Sequence, residues 1–161
     1  MVDWASFEAA RPDLAESGQR LLYQYGVGLA FLATIRADGG PRVHPMCPVI
    51  HDEGLFAMIV PSPKRADLLR NRLFSMHSFP AENDEDAFYV SGEAIAVDDQ
   101  TLRQGVVATY LRERPDLGLS PEDLDPQMLF EFDIRTCLLT LTRGHGDQEP
   151  RHTVWHADAS P

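Results

Sequence analysis

Ser62, Lys64 and Arg65 stand where an extended segment gives way to a helix, and Arg42 lies on a strand before them. That combination suits a phosphate. A capped helix start offers free backbone N–H groups, the serine offers a hydroxyl, and the basic side chains offer charge. Ser62 is a good N-cap and Pro63 fits the first helical position. Lys64, Arg65, Arg70 and Arg72 place four of the 14 Lys+Arg residues within nine positions. The same residues also make an ordinary capped helix with solvated cations, and spacing alone does not choose between the two.

Other chemistries find less support. His152 and His156 are four apart, but there is no HExxH pattern, and we expect no metal site. Gly144-His145-Gly146 lacks the third glycine and the following apolar helix of a dinucleotide fingerprint. No nucleophile elbow or phosphate-cradling glycine loop occurs, and no side chain stands out as a general acid or base. His44, beside Pro45, reads first as a satisfied strand histidine and second as a ligand contact. Trp155 is a lone large residue in a polar stretch. It docks that stretch onto the core or covers a pocket, and we read docking first.

The elements around this set follow from periodicity. Trp4 to Tyr25 reads as helix, with Leu14, Gly18, Leu21, Leu22 and Tyr25 on one face and Pro12 as a candidate start of its main segment. Leu29–Arg36, Arg42–Ile50 and Leu55–Val60 read as strands joined by Asp38-Gly39-Gly40 and His51-Asp52-Glu53-Gly54. Pro45 and Pro48 mark an edge, a bulge or a ligand approach. A helix from Pro63 to about Arg72 would bury Ala66, Leu69 and Leu73. Leu73–Phe79 and Phe88–Val97 return to strand, the latter with Gly92 at a bulge or close approach. Asp98-Asp99 caps a helix, Ser120-Pro121 caps a short turn, and Phe130–Ile134 and Cys137–Thr142 are the last two strand signals.

The predicted organisation is one domain over 1–161: an N-terminal helical segment (1–28), a barrel with inserted helices (29–142) and a polar tail (143–161). Hairpin order favours a mainly β, antiparallel barrel with helices outside over a parallel sheet. The 161 residues carry a net charge of −11, with 43% hydrophobic and 24% charged residues. That balance argues against nucleic-acid binding. No apolar run approaches a membrane span. The opening MVDWASFEAARPDL has no basic-then-apolar pattern, so no secretory signal is expected. Cys47 and Cys137 read as two buried free thiols, which fits a cytoplasmic protein.

In order and spacing, FLATIRADGGPRVHPMCPVI, LFAMIVPSPKRADLLRNRL and AFYVSGEAIAV resemble the pyridoxamine 5′-phosphate oxidase-like family of flavin-binding split barrels. The resemblance covers about residues 20–98 and extends to relatives that use F420. It implies a six-stranded split barrel and a homodimer with FMN, or alternatively F420, at the subunit interface. It implies an oxidoreductase acting on a small organic substrate, with a non-enzymatic flavin- or haem-binding module as the alternative. By the same resemblance, Ser62 and Lys64, with Arg65 beside them, hold the flavin phosphate and Arg42 adds a cation. His44, Pro45 and Met46 line the ring, and Ile59 and Val60 add contacts. Trp155 joins this set through its own second reading, as a pocket cover. Pro63 stands where the family often has a basic or hydroxyl residue, and Arg72-Leu73 replaces the usual Asn-Pro. The C-terminal Trp and Arg/His cluster of true pyridoxamine phosphate oxidases is absent, so that activity is not expected.

Overall fold

A computed structural model describes residues 1–157. The chain begins with α1 (Trp4–Ala10) and α2 (Pro12–Leu22). One helix was expected here. Pro12 cannot continue a helix that arrives from its N-terminal side, so the chain breaks at Arg11 and restarts with Pro12 in the first turn. Strands β1 (Ala30–Ile35), β2 (Pro41–Met46), β3 (Val49–His51) and β4 (Gly54–Ile59) follow. Then come α3 (Pro63–Asn71), β5 (Leu73–Ser78), β6 (Ala87–Ala96) and α4 (Gln100–Glu113). Two short 3₁₀ turns lead into β7 (Met128–Leu141), and β8 (Arg151–His156) ends the described chain.

All eight strands belong to one antiparallel sheet, in the order β2-β1-β5-β6-β7-β4-β3, with β8 also on β7. The architecture is the expected mainly β split barrel, but the strand count exceeds six. Arg42–Ile50 divides into β2 and β3, because Cys47-Pro48 interrupts it and Pro48 has no N–H to give the ladder. The last two expected strands fuse into β7. The stretch expected to be a polar tail supplies β8, which pairs Trp155 with Cys137 and Val154 with Leu138.

The closure of the barrel can be read from this order. β2 and β3 lie at opposite ends of the strand path, yet only Cys47 and Pro48 separate them. The sheet must therefore curl until its two ends nearly meet. Gly28 packs against that junction, where a Cβ would lie 2.0 Å from the Pro48 carbonyl oxygen. The interior is filled by Leu32, Leu55, Ile59, Met76, Phe88, Phe130 and Phe132, with Phe7 and Leu14 closing one end. Trp155 joins that end: its ring lies 5.1 Å from Phe7 between centroids. A smaller cluster of Val49, Phe56, Val106 and Leu129 seats α4. Cys137 is buried, and burial pushes its thiol up to about 12. Cys47 was expected to be buried and is only half-buried.

The longest pairing, β6 with β7, shifts register between Ser91 and Gly92. Gly92 sits so close to β7 that a Cβ would meet the Asp133 carbonyl oxygen at 1.8 Å. The obstacle is backbone, which cannot swing away as a side chain can. Gly92→Ala should therefore lower stability by about 3 kcal/mol, or ~10 °C in melting temperature for a chain this size. A thermal melt followed by circular dichroism checks this, and an unchanged midpoint would contradict the close approach.

Candidate functional site

The start of α3 is built as its sequence suggests. Ser62 is extended and caps the helix, accepting from the Arg65 N–H at 3.4 Å and donating its own hydroxyl to the Val60 carbonyl at 2.9 Å. Lys64 reaches across to β2, where its Nζ donates to the Pro45 carbonyl at 3.3 Å. Arg65 donates to the Pro126 carbonyl at 3.1 Å. Both cations spend donors on neutral carbonyls, and among the described residues neither is paired with a carboxylate. Partial burial lowers the Lys64 pKa. A cation held without an acid partner beside a positive helix end is a place where an anion would be stabilised.

Arg42 is engaged within the protein through one of its donors. Its Nε donates to Asp67 at 2.7 Å. The Asp67 side chain is only 4% exposed, and it also accepts from Thr34 Oγ1 at 2.9 Å and from Arg70 at 3.1 Å. One carboxylate thus joins β1, β2 and α3. The buried residues of α3 are Asp67 and Leu68, whereas Ala66, Leu69 and Leu73, expected to face the core, are exposed. An acid can occupy the buried face because three donors satisfy it.

The remaining candidates separate. Pro45 and Val60 lie exposed next to the α3 start, and both carbonyls are used there. His44 is half-buried and pairs with Leu32. Met46 and Ile59 are core residues, packed with Leu32, Leu55 and Phe132. Trp155 sits on β8 against Phe7, in the docking role. The structure therefore brings Arg42, Pro45, Val60, Ser62, Lys64 and Arg65 around one helix start, and leaves Met46, Ile59 and Trp155 outside it. The sequence reading missed Thr34 and Asp67. A carboxylate three positions after Lys64, beside Leu68, was the available signal.

A second concave feature lies elsewhere, on the outer face of β1, β5, β6 and β7. This groove has a volume of about 540 Å³ and includes none of the candidates read from the sequence.

Neither a protein-family model nor a curated protein sequence matches this chain. Solved structures do. A protein from Clostridium acetobutylicum, related to general stress protein 26 and described as of the pyridoxinephosphate oxidase family, superimposes with a TM-score of 0.64. It is 14% identical, over 92% of this chain and 96% of that one. This chain has the split-barrel fold of the pyridoxamine phosphate oxidase-like proteins. The same split barrel occurs in a haem-binding protein from Mycobacterium smegmatis, with TM-score 0.65 and 12% identity. There the match covers 87% of this chain but only 57% of the other. It occurs also in HutZ, the haem storage protein of Vibrio cholerae, with TM-score 0.59 and 21% identity over 77% and 89% of the two chains.

Burial alone would raise the Asp67 pKa, but the hydrogen bonds from Arg42, Arg70 and Thr34 outweigh it and hold the carboxyl below its ordinary value. Such a group stabilises the fold above the unfolded-state pKa of about 4, and the contribution is lost as pH falls through the lower folded value. Asp67→Asn should cost on the order of 2 kcal/mol in urea unfolding near neutral pH, because it strips a buried partner from two arginines. The gap should narrow below pH ~4 as the wild-type carboxyl protonates. A gap of constant size down to pH ~3 would contradict the linkage.

Proposed function

We propose that this chain is an FMN-binding oxidoreductase that acts on a small organic substrate as a homodimer. The observation that carries the reading is the pair Lys64 and Arg65 at the Ser62-capped start of α3, without carboxylate partners among the described residues, in a protein of net charge −11. Such a donor set fits the phosphate of FMN. Ser62 and the first N–H groups of α3 would hold the phosphate oxygens, and Lys64 and Arg65 would balance their charge. Arg42, with Nε committed to Asp67, would add its remaining guanidinium donors. Pro45 and His44 on β2 would border the ring. Bound FMN would supply the electron- and hydride-transfer chemistry, with the protein positioning it and excluding competing reactions. F420, which also carries a phosphate, is the variant of this reading. The half-buried and buried free thiols accord with a cytoplasmic setting.

A second reading, a flavin- or haem-binding module without catalysis, draws on two observations. Asp67 already neutralises Arg42, which weakens the cation set. Two proteins of the same fold are described as haem proteins.

FMN should bind the purified protein with a shifted flavin absorbance. Lys64→Ala should weaken that binding at least about tenfold, the worth of one charge-assisted contact. Light scattering should give a mass near twice 18.0 kDa. Absence of FMN and F420 uptake at micromolar concentrations, with haem taken up instead, would favour the second reading. A mass of one chain would contradict the homodimer.

A further inference from the structure

The outer groove can be explained from the sheet register. Ser75 pairs with Ser91, and Ser91 with Thr136, so hydroxyl side chains lie side by side across β5, β6 and β7. Ala33 continues the row onto β1. Bulkier groups rise at the sides: Ile35, Pro41 and Leu73 at one end, and Tyr89 at the other. Leu73 is 46% exposed and forms part of the apolar wall. The register shift at Gly92 drops Arg135 out of the ladder, and its guanidinium reaches Glu93 at 2.9 Å and Asp133 at 3.3 Å. The result is a trough with a polar floor, apolar walls and the volume of a typical small-molecule site.

Its chemistry restricts the occupant. Arg135 is shared by two carboxylates, so an added anion would meet a neutral to slightly negative surface. Where the floor meets the Tyr89 end, the Ser75 Oγ and Tyr89 Oη are 3.0 Å apart. In that pair one hydroxyl proton is used between the two oxygens, and the other remains free to donate outward. A flat ring with a carbonyl, nitro or ring-nitrogen acceptor would satisfy that donor while its faces contact Leu73, Ile35 and Pro41.

We propose that this groove is a binding site for a neutral, planar heteroaromatic molecule whose acceptor edge is read by the Ser75–Tyr89 hydroxyl pair. It is distinct from the phosphate end at α3. It names the class of small organic substrate that the proposed oxidoreductase would take, yet it stands whether or not FMN binds at α3.

Lumichrome, a neutral tricyclic ring with carbonyl acceptors and no phosphate, is a suitable fluorescent probe for the full chain. Saturable binding at one site per chain is expected. The double variant Ser75→Ala/Tyr89→Phe should weaken it at least about tenfold. Leu73→Asp, at an exposed position that tolerates polarity, should weaken it comparably through lost apolar contact and added charge. Lys64→Ala, at the phosphate end, should leave it within about twofold while it still weakens FMN. The proposal is overturned if lumichrome shows no saturable binding. It is equally overturned if the hydroxyl double variant, folded by its melting curve, binds as wild type. Leu73→Asp that only halves the mass, with lumichrome binding absent from both forms, would assign the groove to a second copy of the chain instead. Loss of FMN binding with lumichrome binding intact would sink the phosphate reading and leave this one standing.

Discussion

The carboxylate of Asp67 is the point on which the candidate site depends. It is nearly inaccessible to solvent and is met by a hydroxyl from β1, a guanidinium from β2 and another from α3. A buried carboxylate without these donors would cost several kcal/mol, so the three elements are held to one arrangement. That arrangement sets how α3 lies on the sheet. With Asp67 inward, Leu68 fills the core, and the first turn of the helix presents Ser62, Lys64 and Arg65 together. Arg70 strengthens the same junction by also donating to the Ile35 carbonyl. The site is thus positioned by an internal ion cluster rather than by the apolar packing of α3, whose Leu69 is exposed.

The second constraint is the barrel seam. Cys47 and Pro48 carry the chain from one end of the strand order to the other, and Lys64 spans back from α3 to the Pro45 carbonyl beside that seam. Tyr23 braces it from below. Its hydroxyl oxygen accepts from the Ile50 N–H at 2.9 Å and the hydroxyl donates to Glu113 at 3.3 Å, tying α2, β3 and α4 together. Burial pushes that phenol up to about 12, so it stays a neutral donor. The α3 start therefore rests on rigid elements on both sides, which is what a cofactor site needs to hold a geometry.

Much of the fold was legible because it is written locally. The turn at Asp38-Gly39-Gly40, the cap at Ser62 with Pro63 behind it and the cap at Asp99 all act within a few residues. What escaped depended on distant partners. Asp67 carried little signal of its own because its donors, Thr34 and Arg42, lie 33 and 25 residues away. Arg42 looked like a free phosphate cation for the same reason. β8 looked like a polar tail because an edge strand with one exposed face needs few apolar residues, and only Trp155 betrayed its packing against Phe7. Met46 and Ile59 entered the expected site through the family resemblance, and their side chains pack in the core. The outer groove had no sequence signal, since it arises from register across four strands.

The central claim is that the start of α3 holds a phosphate. The most direct measurement compares the equilibrium affinities of FMN and riboflavin, which share a ring and differ only in that phosphate. FMN should bind at least about tenfold more tightly at low ionic strength, and the advantage should shrink as salt screens Lys64 and Arg65. Equal affinities for the two would contradict the account, because the cations of α3 would then have no phosphate to hold.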